Sequence, residues 1–428
     1  MKEREVVITG VGFITPLGKT VAENWENVKQ MKTGIAHYPA RNRPKFFQYM
    51  GKIKDLDIPA HIPPKLLGQM KFLNRGSLLG LIAAYEALSR SGEYILKIPP
   101  ERRALYIASG DFTKLGYDFM YPAIKSSTDE SWKKIDHEKL NISTMNKVNP
   151  FFLLESLLNN LFSFLSAYTE FKGQNTSLAS LSPCGGHALE LAYRTIKQDR
   201  ADIAMAVGYG NWITEIPLYE IEGLGILSEC KSGIRSFRPF DKNRDGFITG
   251  EGGAAILLES AEAAKKNRTE ILGKIRGFGN CIESPSKGFG VPSKVVKRSI
   301  LKALDEGNCG LNDLAFLILH GSGTQKGDRS ELRSVIDVFN SRGTETPICG
   351  LKPYTGHMGA TSDLADIIIG IHGLREKIVP ATLNFHQVER EFSGLRISSN
   401  HQKCEKGRFL AVSYGLGGQS SSVIVDIN

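Results

Sequence analysis

Two kinds of apolar pattern alternate along the chain: short continuous runs typical of buried strands, and longer runs with the spacing of amphipathic helices. Strands are predicted at Val6–Thr9, Ala104–Ala108, Thr176–Leu181, Ile203–Val207, Ala254–Leu258, Leu314–Leu319, Pro347–Gly350, Phe409–Ser413 and Ser421–Ile427. Helices are predicted at Ser77–Ser89, Phe151–Tyr168, Gly185–Lys197, Lys294–Leu304, Asp328–Phe339 and Ser362–Leu374. This alternation predicts an α/β fold in which helices cover the sheets.

Three further segments are interpreted from their polar and glycine content. Residues 114–149 are polar and charged, so we expect an irregular insertion there. Gly10–Thr15 follows a strand and looks like a dinucleotide-binding loop, but it lacks a third glycine, which favours a tight turn. Asp241–Gly246 looks like the start of a calcium loop, but the twelfth position is Gly252 instead of glutamate. Neither a dinucleotide site nor a metal site is therefore expected.

The composition fits a large core, since 41% of the 428 residues are hydrophobic. The formal net charge of +9 is scattered and forms no long basic run. An acidic carrier protein or a phosphorylated cofactor is therefore a better partner than a nucleic acid. The longest apolar stretch, residues 151–168, is interrupted by Glu155, Asn159 and Asn160, so no membrane span is expected.

The six cysteines include no pair with Cys-x-x-Cys spacing, so neither a zinc site nor a redox dithiol is expected. A disulfide framework is unusual in so long a chain, which favours reduced thiols. The N-terminus enters a strand directly, without the pattern of a signal peptide. We therefore expect a cytoplasmic protein.

The segment Thr176–His187 predicts a strand followed by a helix, with Ser182, Pro183 and Cys184 at the corner. Ser182 before a proline is typical of a helix N-cap, with Pro183 as the first helical residue. A side chain at the same place is close to backbone N–H groups and to the positive end of the helix dipole, which favours a nucleophile. Cys184 is either a reactive thiol in the first turn or a small buried packing residue. The residues alone leave both questions open.

Two histidines far downstream lie beside glycines at the ends of strand-like segments. His320 follows Leu314–Leu319, and His357 lies in a Thr-Gly-His-Met-Gly segment. A single histidine in such a place is usually structural, but two of them, with a nucleophile at a helix start, are the layout of an acyl-transfer site. Lys352 lies five residues before His357, where it either orients a polar site or is an ordinary surface lysine.

Taken in order, these segments resemble the β-ketoacyl-acyl-carrier-protein synthases of type II, a family of condensing enzymes, over nearly the whole chain. The matching motifs are Val6–Gly12, Thr15–Gly18, Asn149–Phe152, Arg238–Phe247, Gly250–Gly252, His320–Gly321 with Asp328 and Glu331, Lys352 with Thr355–His357, and Ser413–Gly418. The resemblance implies the thiolase fold, in which two similar halves are stacked as five α-β-α-β-α layers, usually in a dimer. We place the halves at residues 1–252 and 253–428, with the nucleophile corner in the first and the histidines in the second.

The resemblance also implies roles for single residues. Members of the family have a cysteine nucleophile and a histidine five residues later. Placing His187 on that histidine puts Ser182 at the nucleophile position; Cys184 takes that position only if two residues are deleted. His320 and His357 then stabilise a decarboxylating malonyl group and the developing oxyanion. Three further sets are implied: the supporting side chains Lys352, Asp328, Glu331 and Asp366; the backbone N–H groups of Ser182 and Leu416 as an oxyanion hole, with Leu416 and Gly417 at the gate; and Lys65, Lys71 and Arg75 for carrier docking.

A serine at the nucleophile position changes the expected chemistry. A hydroxyl is a much weaker acid than a thiol and needs a general base, for which His320 or His357 is the candidate. We therefore expect an acyltransferase of fatty-acid or polyketide synthesis. Its acyl group comes from acyl carrier protein, on phosphopantetheine, and it has no bound cofactor. The alternatives are a chain-length-factor-like partner in a ketosynthase heterodimer, a malonyl-carrier decarboxylase that needs no nucleophile, and an acyl-binding scaffold without turnover.

Overall fold

The computed structural model describes residues 3–40, 43–59, 62–89, 93–111, 117–152, 154, 157, 160–284, 293–339 and 343–427. The strands in these ranges are β1 Val6–Ile14, β2 Ile35–His37, β3 Tyr49–Gly51, β4 Arg103–Ser109, β5 Asn175–Ala179, β6 Ile203–Asn211, β7 Glu251–Ser260, β8 Gly273–Ile282, β9 Phe316–Ile318, β10 Gly343–Cys349, β11 Ile378–Val379, β12 Gly394–Ile397, β13 Gln402–Lys403, β14 Arg408–Tyr414 and β15 Gln419–Asp426. The α-helices are α1 Val21–Lys29, α2 Pro64–Leu67, α3 Arg75–Ser89, α4 Tyr117–Ser127, α5 His137–Lys147, α6 Asn160–Thr169, α7 Cys184–Lys197, α8 Glu215–Gly223, α9 Ala261–Asn267, α10 Ser293–Glu306, α11 Gln325–Phe339 and α12 Ala360–Arg375. None of these helices is long and apolar enough to cross a membrane.

Eleven strands form one mixed sheet, in the order β12-β10-β9-β14-β15-β8-β1-β7-β6-β4-β5. Two runs of five strands, β5-β4-β6-β7-β1 and β10-β9-β14-β15-β8, repeat the same pairing. In each run the first three strands are parallel, and each of the last two is antiparallel to the strand before it. The runs meet where β1 pairs with β8. The repeat confirms an α/β fold of two similar halves, while their boundary after residue 252 stays a prediction.

Helices α7 and α12 form the middle of the molecule. They pack against each other and against strands of both runs, and nearly every residue of α12 is buried. Helix α3 packs on β1 and β7, and α10 packs on β8 and β15. Because α12 has so little contact with solvent, its two carboxylates, Asp363 and Asp366, require partners inside the protein.

Most of the predicted strands and helices are present with slightly different ends. The prediction of an irregular insertion at residues 114–149 is wrong, since this segment contains α4 and α5. The helix predicted at Phe151–Tyr168 is present from Asn160 as α6, and part of its first half lies outside the described residues. Strand β8 has no counterpart among the predicted strands. Its Gly277 and Gly279 weaken the β-propensity, yet they let the backbone of α10 approach closely.

The tight turn predicted at Gly10–Thr15 is also wrong, because β1 continues through Ile14. A side chain at Gly10 or Gly12 would overlap the carbonyl oxygen of Ala87 or Ala83 in α3. These two glycines therefore allow a helix to pack closely on the sheet. This packing, and not nucleotide binding, explains the glycine spacing of the segment.

Candidate active site

The corner between β5 and α7 contains Ser182. Helix α7 begins at Cys184 and its N-cap position is Pro183, with no side-chain capping bond. The prediction that Ser182 is the N-cap and Pro183 the first helical residue is therefore wrong. Asp363 of α12 satisfies the helix start instead. Its Oδ2 accepts the backbone N–H of Gly185 at 3.0 Å, and its Oδ1 accepts the hydroxyl of Ser182 at 2.8 Å.

Ser182 and Asp363 form a buried pair, in which the serine is 6% exposed. Burial raises the pKa of Asp363 to about 7, and the positive charge of Lys352 and the hydrogen bond from Ser182 oppose this rise only in part. Asp363 is not among the residues selected from the sequence, because its contact with Ser182 spans 181 positions. The available signal is the pair Asp363 and Asp366, three positions apart in a largely apolar segment.

Cys184 lies on the other side of the same corner. Its thiol donates to the carbonyl oxygen of Ser180 at 2.9 Å, and its side chain belongs to the central hydrophobic core. Burial, with a further contribution from the charge of Asp363, raises the pKa of the thiol far above its ordinary value. Of the two interpretations of Cys184, the geometry therefore favours the packing residue.

The two histidines are adjacent. Their ring centroids are 5.2 Å apart and their planes are inclined by 69°. The loop after β9 is fixed by Glu331, whose carboxylate accepts the backbone N–H groups of His320 at 2.7 Å and Gly321 at 3.0 Å. Lys352 donates from Nζ to the carbonyl oxygen of His320 at 2.6 Å. Glu331 of α11 and Lys352 of the loop after β10 thus determine the position of His320.

Both imidazoles are neutral hydrogen-bonding groups. Burial and the charge of Lys352 lower the pKa values of His320 and His357 well below the ordinary range. Nδ1 of His357 accepts the backbone N–H of Gly359 at 3.2 Å, so the proton of the neutral ring is on Nε2. His357 therefore presents an N–H donor to a substrate. Nδ1 of His320 is buried without a hydrogen-bond partner among the described residues.

The remaining supporting carboxylates are buried and fully engaged. Asp366 lies 3.2 Å from Nζ of Lys352, and burial raises its pKa to about 6. Burial and the nearby charge of Asp328 raise the pKa of Glu331 to about 8. Asp328 accepts the backbone N–H of Gly323 at 3.0 Å and lies beside the buried guanidinium of Arg244. These buried side chains hold the loops that carry the histidines.

Aromatic side chains to which the sequence analysis assigns no site role enclose the two imidazoles. Trp212 stacks on His357 with ring centroids 4.7 Å apart, and Phe247 lies 4.8 Å from the same ring. Tyr414 lies 4.2 Å from the ring of His320. Such surroundings exclude water, which explains the low pKa values of the histidines. A single tryptophan or tyrosine in a sequence carries no sign of this role.

The corner, the histidines and the β14–β15 turn meet at one place. A side chain at Gly359, whose φ is +57°, would lie 3.1 Å from the carbonyl oxygen of Leu181, and one at Gly415 would overlap that of Ser182. Leu416 is half-buried and Gly417 exposed in the turn that follows Gly415. In the described part of the chain, no protein acceptor binds the backbone N–H of Ser182 or Leu416.

The cations selected for carrier docking differ in their surroundings. Lys65 and Lys71 are exposed. The guanidinium of Arg75 instead binds the buried carboxylate of Glu251 through Nε at 2.5 Å and Nη2 at 2.7 Å. It also donates to a backbone carbonyl, so the structure places Arg75 in an internal ion pair and not on an open docking patch.

The described residues contain no group of three or more histidine, cysteine, aspartate or glutamate side chains that could hold a metal ion. In the calcium-like segment, Asp241 accepts the backbone N–H groups of His386 at 2.8 Å and Gln387 at 3.0 Å. Its carboxylate has a structural function in joining two loops.

Known proteins resemble the chain over its whole length. The chain is 25% identical over 434 residues to 3-oxoacyl-[acyl-carrier-protein] synthase 2 of Vibrio harveyi, with 99% of each chain covered. Among solved structures, a type II polyketide ketosynthase in complex with its acyl-carrier protein has a TM-score of 0.83 at 21% identity, covering all of both chains. The ishigamide ketosynthase/chain length factor has the same TM-score at 19% identity and the same coverage.

Two family models match most of the chain. Residues 3–264 match the N-terminal domain of beta-ketoacyl synthases, and residues 274–386 match the C-terminal domain. The chain therefore belongs to the beta-ketoacyl synthase family, with the thiolase fold, as a ketosynthase-like protein of the 3-oxoacyl-acyl-carrier-protein synthase 2 type.

Proposed function

We propose that this protein transfers an acyl group from acyl carrier protein onto Ser182. The observation that carries the proposal is the hydroxyl of Ser182, which lies at the start of α7 in a 2.8 Å hydrogen bond to a buried carboxylate. A serine becomes a nucleophile only when a basic group is within hydrogen-bond reach. The backbone N–H groups of Ser182 and Leu416 have no protein acceptor in the described residues and are the oxyanion donors of this step.

The histidine pair supplies the second half of the chemistry. When malonyl-carrier loses carbon dioxide, negative charge develops on the thioester oxygen, and neutral N–H donors in a water-poor site stabilise it. Nε2 of His357 is such a donor, and His320 lies beside it. The resulting carbon nucleophile then attacks the carbonyl carbon of the Ser182 ester and the ester C–O bond breaks. A proton from solvent returns to Ser182 Oγ, so the products are a 3-oxoacyl thioester and the free hydroxyl.

Acyl carrier protein is the proposed partner, with the acyl group on its phosphopantetheine arm and no other cofactor required. The net charge of +9 and the exposed Lys65 and Lys71 suit an acidic carrier. One structural neighbour is a ketosynthase bound to its carrier. We also propose that the protein acts in the cytoplasm.

The proposed assembly is a dimer, either of two copies or of this chain with a related ketosynthase. Strand β5 ends the eleven-stranded sheet, and its residues alternate between exposed and half-buried along Asn175–Ala179. An uncovered sheet edge of this kind is suited to pairing with another chain. The corner at Ser182 follows β5 directly, so pairing there also supports the candidate site.

The test is intact-protein mass spectrometry after incubation with acyl-carrier proteins loaded with hexanoyl, dodecanoyl or hexadecanoyl groups. We expect an adduct that peptide mapping assigns to Ser182 and that resists neutral hydroxylamine, as an oxygen ester does. An adduct on Cys184 would instead be a thioester and would support the other alignment of the corner. If no chain length gives an adduct, with or without a ketosynthase partner, acyl transfer to Ser182 is excluded.

A second candidate function is decarboxylation of malonyl-carrier without elongation. It is favoured by the fact that Glu331, Lys352 and Gly359 form the hydrogen bonds that position His320 and His357, and Ser182 forms none with them among the described residues. The histidine pair is therefore complete even where no acyl-enzyme forms. Carbon dioxide release from malonyl-carrier by the Ser182→Ala variant supports this function, whereas dependence of that release on Ser182 contradicts it.

A further inference from the structure

We infer that Asp363 is the general base that removes the proton from Ser182 during acyl transfer. This inference rests on the proposed function and specifies its mechanism. It replaces the expectation that His320 or His357 is the base. Oδ1 of Asp363 accepts the hydroxyl of Ser182 at 2.8 Å, within the range required for direct proton transfer.

The carboxylate is oriented for this task. Its second oxygen, Oδ2, accepts the backbone N–H of Gly185 at 3.0 Å in the first turn of α7. That bond, together with the position of Asp363 in the first turn of α12, leaves Oδ1 directed at Ser182. Ser182, Asp363 and the backbone N–H of Gly185 therefore form a chain of two hydrogen bonds. The backbone N–H orients the base, as the third side chain does in a catalytic triad.

The histidines are poor competitors for the proton. Nδ1 of His357 is occupied by the N–H of Gly359, and Nε2 of the neutral ring already carries a proton. Burial and the charge of Lys352 also oppose any uptake of a proton by either imidazole. Asp363 differs because burial raises its pKa to about 7. Near neutral pH a carboxylate with this pKa is ionised in a large fraction of molecules and is basic enough to accept a proton.

The charged and titratable groups around Asp363 determine when it is ionised. Lys352, from the loop after β10, favours the carboxylate, and Asp366 on the same helix opposes it. Cys184 of α7 is also close, but its thiol stays protonated. His320 and His357 stay neutral. Of these groups, Asp363 and Asp366, whose pKa values are raised to about 7 and about 6, change charge close to neutral pH, and Asp363 is the one that contacts Ser182.

The acylation step balances without any further reactant. The proton of Ser182 Oγ passes to Oδ1 of Asp363 while Oγ bonds to the thioester carbonyl carbon. When the tetrahedral intermediate collapses, the carbon–sulfur bond breaks and sulfur leaves with the electron pair. Asp363 then returns the proton to that sulfur. The products are the Ser182 ester and the free phosphopantetheine thiol, and Asp363 is again a carboxylate.

The variant Asp363→Asn separates a base from a helix cap. An asparagine keeps an oxygen that accepts from Gly185, but its amide cannot take a proton from Ser182. The measurement is the rate of Ser182 acylation by hexanoyl-carrier protein from pH 5 to 9. For the wild type we expect the rate to rise with pH and level off above about 7, because the base must be ionised. For Asp363→Asn we expect a loss of at least ~10²-fold and no such rise.

Glu259→Gln is the matched control, because Glu259, near the end of β7, is also a buried carboxyl and accepts the hydroxyl of Thr9 in β1. It is expected to acylate like the wild type. Thermal unfolding followed by circular dichroism establishes that each variant is folded. If Asp363→Asn does not fold, the wild-type profile decides the matter alone, since a rate that is constant between pH 6 and 8 overturns the inference.

A change of nucleophile gives an independent test. A thiol at position 182 ionises without a base, and a neighbouring carboxylate disfavours its thiolate. We therefore expect the double variant Ser182→Cys with Asp363→Asn to acylate at least as fast as Ser182→Cys alone, the reverse of the effect on serine. If the wild type forms no adduct, the proposed function fails. If Asp363→Asn acylates with the wild-type rate and pH profile, the function stands and Asp363 is not the base.

Discussion

The two sides of the corner at residues 182–184 differ in what they offer a substrate. On one side, Ser182 contacts Asp363 of α12, in the region where the histidines and the β14–β15 turn meet. On the other side, Cys184 donates to a backbone carbonyl of its own segment and packs into the central core. Intrinsic acidity would favour the thiol, but its surroundings suppress ionisation. At this corner the contacts of each side chain therefore determine its reactivity more than its intrinsic acidity does.

Removing either candidate nucleophile tests the two sides of the corner against each other. Ser182→Ala is expected to lower acylation by more than ~10³-fold, because the attacking oxygen is lost. Cys184→Ala is expected to acylate at a rate close to the wild type, because its thiol is protonated and buried. Single-turnover acylation with hexanoyl-carrier protein measures both. If Cys184→Ala instead shows the larger loss, Cys184 is the nucleophile.

The next effect concerns Lys352, which stabilises the ionised form of Asp363. Lys352→Met removes a buried ion pair with Asp366 and the bond to the carbonyl oxygen of His320. We expect a loss of up to about 3 kcal/mol in the free energy of unfolding, because a carboxylate is left buried without its partner. We also expect the acylation profile to shift to higher pH, since the pKa of Asp363 rises when the positive charge is removed.

Urea unfolding and the acylation rate from pH 5 to 9 measure the two effects of Lys352→Met. Lys19→Met is the control, because Lys19 forms an exposed ion pair with Asp57 and surface pairs contribute little. A Lys352→Met variant with the wild-type pH profile would contradict the electrostatic link between Lys352 and the Ser182 side of the corner.

A smaller effect concerns stability and pH. Asp363 keeps its proton in the folded state up to about pH 7, whereas the unfolded chain releases it near pH 4. Between these values the folded state binds more protons, so this group makes the protein less stable as the pH rises, by at most about 1.4 kcal/mol per pH unit. Asp363→Asn lacks this contribution. Its stability relative to the wild type is therefore expected to be higher at pH 7 than at pH 5.

Urea unfolding of both proteins at pH 5 and pH 7 measures this difference. Asp129→Asn is the control, because hydrogen bonds from Ser131 and nearby backbone amides lower the pKa of the exposed Asp129, which titrates below this range. A relative stability of Asp363→Asn that does not change between the two pH values would mean that Asp363 is ionised throughout, and would weaken its assignment as a base.

The histidine region was predictable because its signals are local. His320 and His357 lie beside glycines at strand ends. Glu331 follows His320 by 11 residues, and Lys352 precedes His357 by five. The family motifs therefore carried the supporting residues as well. The α/β class was predictable for the same reason, since apolar periodicity reports each strand or helix by itself.

The Ser182 side of the corner was predictable only in part. The position of Ser182 follows from the motif, but its partner comes from a helix that starts 178 positions later, which no local pattern reports. The capping prediction failed for the same reason, because a carboxylate from α12 satisfies the start of α7. The glycines of β1 and β8 led to a wrong turn prediction and a missed strand for a similar reason. They are required by the close packing of helices from other parts of the chain.

The smallest effect concerns the packing and the reactivity of Cys184. Cys184→Ala is expected to cost about 1 kcal/mol in the free energy of unfolding, as the loss of one small buried group does. In the wild type, iodoacetamide is expected to leave Cys184 unmodified in the folded protein and to alkylate it after unfolding in urea, because only the exposed thiolate reacts. Peptide mass spectrometry measures the site. Rapid alkylation of Cys184 in the folded protein would show a reactive thiol, and both sides of the corner would then compete for the acyl group.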